Sequence, residues 1–299
     1  MKNYNNIAIV ASFFGLWMDS YFSHQIQIFL GFLLIFSFGI LHGANDLLLI
    51  KNINTVKVPN SQFKILGYYV MVVLTGVLLF YAIPQFALLL FIVVSSYHFG
   101  EQQWQKLKEE FPKILVFTFQ FLYGFIILLL LFNFHTVQVQ NIILKITSEN
   151  IPVSYFLLLI KIALPLFLFL CIYIFWKSQG LRNKVLLELF FMVLFTILFK
   201  ASSLIWGFAI YFVIWHSIPS IIDQIKYLNG SFSIKNFIEY CRAAGIYWLI
   251  SVSGITMIYL LFRDEQLFNA LFFSFLAAIT FPHAVVITRM FKGKKTLSE

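Results

Sequence analysis

Four of the six histidines lie inside strongly apolar stretches of the sequence, where an imidazole is costly and usually marks a site. These are His42, His98, His216 and His283, in the stretches ILHGAND, SYHFGEQQW, VIWHSIPS and TFPHAVV. Neutral imidazole is the commonest metal ligand among side chains and suits iron, zinc, copper and nickel. The pattern predicts a four-histidine metal centre, with separate structural or proton-relay histidines as the alternative.

Polar side chains accompany these histidines along the chain. A metal-bound imidazole normally donates its second N–H to a carboxylate or carbonyl, which fixes its tautomer. Asp46, one turn after His42, is the leading carboxylate candidate, although it also lies close to the predicted end of its helix. The residues predicted to surround the centre are Asn45, Asp46, Glu101, Ser220 and Asp223. Glu101 and Asp223 are expected nearer the membrane surface.

Glycine or proline stands beside each of the four histidines. Gly43 follows the first histidine directly, and Gly100 lies two residues after the second. Glycine allows helices to approach closely in membranes. Pro219 lies three residues after the third histidine and Pro282 directly before the fourth. Because proline removes a helical hydrogen bond, both positions predict distorted helices at the depth of the histidines.

The composition identifies the elements that position these residues. Hydrophobic residues make up 61% of the 299 residues and charged residues 11%, with a mean hydropathy of +0.89. Soluble domains hold roughly 45–50% apolar and about 25% charged residues. We therefore predict an all-α polytopic membrane protein with a single integral membrane domain over residues 1–299. The net charge of +9 does not indicate nucleic-acid binding, because the basic residues lie in short gaps between apolar runs.

About ten transmembrane helices are predicted, with a range of eight to ten, since about 20 apolar residues cross a bilayer. The predicted spans are 6–22, 26–50, 65–83, 85–105, 112–134, 151–176, 184–199, 203–226, 243–262 and 266–291. The polar gap at 135–150 is expected to lie along the membrane interface. Of the 21 Lys and Arg residues, only Lys145, Lys200 and Arg263 fall in the outer connections when the N-terminus is placed inside. The positive-inside rule therefore predicts cytoplasmic N- and C-termini.

The ten-helix topology also places the four histidines at one depth. All four lie on even-numbered helices, which run inward, and each is seven to ten residues from the inner end of its helix. At 1.5 Å of rise per residue, this is about 12 Å from that end. The shared depth favours one common site in the cytoplasmic half of the bilayer.

With these residues in view, the chain resembles the Brp/Blh family of bacterial and archaeal membrane β-carotene 15,15′-dioxygenases. The matching stretches are HGANDLL (42–48), YHFGEQQW (97–104), YFVIWHSIPS (211–220) and FPHAVV (281–286). The resemblance maps the family's essential histidines onto His42, His98 and His216. Some members carry a further histidine one turn after the WH pair; here that position is Ser220, and His283 is the predicted fourth ligand.

The resemblance implies a non-haem Fe(2+) enzyme that cleaves the central double bond of β-carotene with dioxygen and releases two molecules of retinal. It implies a multi-pass protein of the bacterial cytoplasmic (inner) membrane, in contact with membrane lipid and with no nucleic acid. A retinal-binding rhodopsin would be the downstream partner. Aromatic residues make up 19% of the chain and can line a path for a polyene. The substrate-channel candidates border the histidines: Tyr97, Phe99, Trp104, Trp215 and Phe281.

Other function classes fit the sequence less well. A histidine-lined metal or proton transporter would be expected to contain internal repeats, and none is evident. A haem-binding membrane cytochrome could use histidines on adjacent helices as ligands and would show a Soret band. A membrane di-iron desaturase needs closely spaced histidine clusters, and a retinal-binding opsin needs a buried Schiff-base lysine. Lys161, which lies well inside a predicted span, would have to be the Schiff-base lysine of an opsin, and no obvious counter-ion accompanies it.

Overall fold

The computed structural model describes residues 2–53, 61–261 and 265–293, and within these ranges every regular element is helical. Two of the elements are π-helical turns, Ile35–Gly39 and Tyr211–Ser217. The absence of strands in the described residues confirms the all-α prediction. Four of the basic residues used for the topology, Lys57, Arg263, Lys294 and Lys295, lie outside these ranges.

The α-helices follow the predicted apolar stretches, with additional breaks. They are α1 (Lys2–Asp19), α2 (His24–Leu34), α3 (Asp46–Ile53), α4 (Ser61–Ala82), α5 (Pro84–Gln103), α6 (Leu107–Glu110), α7 (Lys113–Phe134), α8 (Thr136–Thr147), α9 (Val153–Lys177), α10 (Arg182–Ala201), α11 (Leu204–Ile210), α12 (Ile218–Asn229), α13 (Ile234–Leu261) and α14 (Glu265–Gly293). The polar gap at 135–150 forms the short helix α8, whose position at the membrane interface stays a prediction.

Six helical segments of the described chain are long and apolar enough to cross a membrane: Phe63–Ala82, Lys113–Phe134, Val153–Lys177, Leu204–Asn229, Ile234–Leu261 and Leu271–Lys292. The predicted number of ten spans, like the orientation of the termini, therefore stays a prediction. Helix α5 shows why the two counts differ. It is long enough, but its last turns carry SSYHFGEQQ, and these polar residues reduce its hydropathy.

The described chain forms two compact units. The first comprises Met1–Leu34, Ser95–Asn141 and Asn150–His216. In it, α7 packs against α9 and α10, and the Phe119 and Phe167 rings stack with centroids 5.1 Å apart. Helix α2 packs against α11. This unit holds His98 and His216.

The second unit comprises Ile35–Val94, Ile142–Glu149 and Ser217–Glu299. Its main contact runs between α4 and α14, and α3 packs against both of these helices. Gly76 lies at the α4–α14 contact, where a Cβ would meet the Cα of Ala278 at 3.2 Å. Leu49 and Ile287 lie in a buried apolar cluster of this unit. This unit holds His42 and His283.

Candidate functional site

His42 and His283 lie side by side in the second unit. Their ring centroids are 4.7 Å apart with the ring planes nearly perpendicular, and ring nitrogens of the two residues lie within 4.8 Å of one another. Both side chains are buried. The two buried imidazoles, predicted from separate sequence stretches, are therefore brought together by the fold of this unit.

The structure corrects the local conformation predicted for His42. The sequence predicted one continuous helix over 26–50, whereas residues 42–45 form a turn between the π-helical turn Ile35–Gly39 and α3. Gly43 and Asn45 are poor helix formers, which explains the break. The Asn45 side-chain amide donates to the backbone carbonyl of Tyr240 at 2.9 Å, so Asn45 is used to hold the turn.

Asp46 is the first residue of α3 and connects two polar side chains. Its Oδ1 lies 2.8 Å from Nδ1 of His283, and its Oδ2 accepts a hydrogen bond from the Tyr69 hydroxyl at 2.9 Å. The carboxyl group, placed by sequence next to His42, thus contacts His283 instead. Nδ1 of His42 contacts the backbone carbonyl of Gly39. In both rings Nδ1 faces an acceptor, so Nε2 is the nitrogen that carries the lone pair for a metal ion.

We expect Asp46→Asn to weaken metal binding by about 10–100-fold, the usual cost of changing an outer partner of a metal-bound histidine. The amide keeps the volume of the carboxyl group but removes the charge that favours the His283 tautomer with a proton on Nδ1. Titration of the purified variant with Fe(2+) or Co(2+) measures the effect. Asn52→Asp, on the exposed end of the same helix, is the control. Equal affinity of Asp46→Asn and wild type would contradict this role.

His98 and His216 form the corresponding pair of the first unit. Their ring centroids are 4.8 Å apart at an interplanar angle of 78°, and both are buried. His98 lies in the last turns of α5, and His216 lies in the π-helical turn Tyr211–Ser217. Wide turns of this kind occur often at functional sites. Pro219, predicted to distort this helix, lies where the π-helical turn passes into α12.

Side chains from other helices take the carbonyl groups of this wide turn. The Tyr4 hydroxyl donates to the carbonyl of Ile214, and the Gln102 amide donates to the carbonyl of His216 at 3.1 Å. The Trp215 indole donates to the Ser12 hydroxyl at 2.9 Å. Two carbonyls of the wide turn, those of Ile214 and His216, therefore have side-chain donors inside the protein.

An aromatic cavity borders His216. Its lining residues, all in the first unit, are Phe99, Gln102, Gln103, Tyr123, Phe195, Tyr211, Trp215 and His216. The Phe99 ring lies 4.7 Å from the His216 ring, edge to face, and Phe212 stacks on it at 5.5 Å. Two predicted channel residues, Phe99 and Trp215, thus line a cavity beside a predicted ligand.

The other three channel candidates have different surroundings. Tyr97 is half-buried and stacks on Phe117 at 5.0 Å. Trp104 is fully buried, packs edge to face on Phe119 and is not among the residues that line the His216 cavity. Phe281 lies in the second unit at the α4–α14 contact, close to Gly76. The Trp104 ring packs against α7, and Nζ of Lys184 lies 5.0 Å from its centroid. The role of Trp104 in a substrate channel stays a prediction.

The remaining polar candidates also have defined positions. Glu101 is completely buried and accepts hydrogen bonds from the Tyr97 hydroxyl at 3.0 Å and from Lys108 at 2.6 Å. The ion pair with the partly exposed Lys108 explains how a carboxylate is tolerated there. The depth of Glu101 in the membrane stays a prediction. Ser220 is buried and accepts from the Gln224 amide at 3.1 Å. Asp223 is half-buried in α12.

Four polar residues near the histidines were not predicted from the sequence: Tyr69, Gln102, Gln224 and Tyr240. The Tyr240 hydroxyl donates to the Gln224 side-chain oxygen at 2.8 Å. A glutamine within an otherwise apolar helix, such as Gln224, was a signal that could have identified one of them. For the tyrosines the sequence carried no signal, because tyrosine is common throughout the chain.

The buried imidazoles of both units are side-chain donors of a kind that divalent metal ions bind. The imidazoles are buried, and those of His42 and His283 have Nδ1 against an oxygen acceptor, which leaves Nε2 for coordination. Imidazole suits iron, zinc, copper and nickel. The arrangement defines an all-helical protein whose apolar helices suit a membrane and whose buried histidine pairs suit a metal.

Comparison with known protein families identifies the group to which the chain belongs. The family model for beta-carotene 15,15'-dioxygenase matches residues 33–291. This range includes the four histidines of the two pairs, and the chain belongs to this family. No curated protein and no solved structure matches the chain.

Proposed function

We propose that this protein is a β-carotene 15,15′-dioxygenase, which uses dioxygen to cleave the central double bond of β-carotene and releases two molecules of retinal. The metal is Fe(2+), and its ligands are His42, His98, His216 and His283. Each retinal receives one of the two oxygen atoms as its aldehyde oxygen, so no further reductant is needed. The observation that carries the proposal is the burial of four histidines, in two contacting pairs, within the stretch that matches the family.

The sequence supports a single iron for all four histidines. All lie at matched depth on helices that run in the same direction in the predicted topology, about 12 Å from the inner ends. Four neutral ligands would leave Fe(2+) its full charge and positions for dioxygen. When bound, the iron would supply the redox chemistry with dioxygen that breaks the carbon–carbon double bond.

The protein's own residues hold the imidazoles and receive an apolar substrate. Asp46 accepts from Nδ1 of His283 and thereby fixes its tautomer. Phe99 and Trp215 line the cavity beside His216 and offer aromatic faces to a polyene. Dispersion contacts over many carbon atoms would supply the affinity. Because β-carotene dissolves in the bilayer, apolar helices suit its entry better than a water-filled cleft.

The direct test is expression in bacteria engineered to accumulate β-carotene, followed by lipid extraction and chromatography. Wild-type protein is expected to remove the orange colour and produce retinal. His98→Ala is expected to leave the carotene intact, because a proposed iron ligand is lost. His24→Ala, which changes an exposed histidine at the start of α2, is expected to behave as wild type.

The outcomes separate the proposal from its rivals. Apocarotenals of other lengths would show that a different double bond is cleaved and would contradict central cleavage. Intact carotene in cells that hold folded, iron-loaded protein would contradict the dioxygenase. A Soret band in the purified protein would then favour a haem-binding cytochrome, and metal uptake into vesicles would favour a transporter.

A further inference from the structure

We propose that two glutamines, Gln102 and Gln224, are positioning residues that hold the backbone of His216 and His42, respectively. Each glutamine donates a hydrogen bond from its side-chain amide to the main-chain carbonyl of one of these histidines. The inference rests on the proposed metal role of the histidines and adds residues that determine how their imidazoles are aimed.

In the first unit, Gln102 connects the two members of a histidine pair. It lies four residues after His98 on α5, so both side chains project from the same face of that helix. Its Nε2 donates to the carbonyl of His216 at 3.1 Å. The bond therefore connects the helix of His98 to the backbone of His216. The ring centroids of these two histidines are 4.8 Å apart.

In the second unit, Gln224 does the same for the turn that carries His42. Gln224 is completely buried, and its Nε2 donates to the His42 carbonyl at 2.8 Å. The amide is oriented by two neighbours, because its Oε1 accepts from the Tyr240 hydroxyl at 2.8 Å and its Nε2 also lies 3.1 Å from the Ser220 hydroxyl. Ser220 thus acts on the histidine turn through Gln224.

The local backbone explains why such bonds are needed. His216 lies in a π-helical turn and His42 in a turn between helices, so neither segment has the regular α-helical hydrogen-bond pattern. In each segment a glutamine amide donates to the histidine carbonyl and fixes its position. Since the imidazole is attached to the same residue, the bond also limits the directions in which the ring can point.

The test uses Co(2+) as the probe, because its visible absorption bands report ligand geometry independently of catalysis. Gln102→Met and Gln224→Met remove the amide while keeping an unbranched side chain of similar length. Each is expected to change the band pattern and weaken Co(2+) binding by about tenfold, the lower end of effects seen for outer partners. Gln140→Met is the matched control, since Gln140 also donates to a backbone carbonyl, that of Ile151 on a different helix connection.

The inference is overturned if Gln102→Met and Gln224→Met bind Co(2+) with the wild-type spectrum and affinity. If a methionine variant fails to fold, Gln102→Asn and Gln224→Asn carry the test, because they retain the amide but are too short to reach the carbonyl. Wild-type spectra in these variants would likewise overturn it. Failure of the wild-type protein to bind Co(2+) would instead contradict the proposed metal site itself.

Discussion

Replacing any one of the four paired histidines by alanine is expected to abolish iron binding and retinal formation. For His42→Ala, His98→Ala, His216→Ala and His283→Ala, we expect bound iron to fall from about one per chain to near zero, because one ion needs all of its ligands. Retinal formation should fall by more than about 100-fold, beyond the range for loss of an outer partner. Metal analysis of the purified variants and product chromatography measure both effects.

This series also distinguishes one iron shared by all four histidines from an iron held by one pair alone. If all four histidines share one iron, a substitution in either pair removes the bound iron. If His42→Ala and His283→Ala kept their iron while His98→Ala and His216→Ala lost it, the His98–His216 pair alone would hold the metal. His135→Ala is a suitable control, because His135 is also buried but is absent from both pairs.

The second large effect is expected from Gly100→Ala, which should prevent α5 and α7 from packing. A Cβ at Gly100 would overlap the backbone carbonyl of Gln120 on α7. In the same way, a Cβ at Gly124 of α7 would overlap the backbone carbonyl of Ser96 on α5. Overpacking commonly costs about 1–3 kcal/mol. Here the obstacle is backbone on both helices, so the loss should reach or exceed the upper value, measured as thermal unfolding in detergent.

Gly245→Ala is the matched control for Gly100→Ala. Gly245 lies inside α13, and a Cβ there would meet no atom within 4 Å. Because alanine is the better helix former, this change should be neutral or stabilise by up to about 1 kcal/mol. Equal melting temperatures for the two variants would contradict the packing argument. Since Gly100 lies two residues after His98, the same approach of helices also sets the position of that histidine.

The sequence by itself determined the helical class and the residues that could take part in chemistry. A composition of 61% hydrophobic residues is incompatible with an ordinary soluble domain. The histidines stood out because an imidazole in an apolar stretch needs a reason to be there. The structure buries all four of them. Glycine beside histidine predicted close helix approach, and Gly100 occupies such a point.

The tertiary structure decided which side chains pair. From sequence spacing, Asp46 belonged with His42, but α14 carries His283 to it from far along the chain. The glutamines Gln102 and Gln224 were missed for the same reason. Their acceptors are carbonyls on other helices, and no local pattern reports a donor and an acceptor that are 114 or 182 residues apart.

The conformation of the histidine segments was also decided beyond the local sequence. The apolar stretch predicted a continuous helix through His42, where the chain forms a turn, and Pro219 predicted a distorted helix at His216, where the chain forms a π-helical turn. Such departures cost hydrogen bonds within the segment. They persist because Tyr4, Gln102 and Gln224 supply donors from elsewhere in the fold. The sequence therefore determined which residues are costly to bury, and tertiary contacts determined which hydrogen bonds offset that cost.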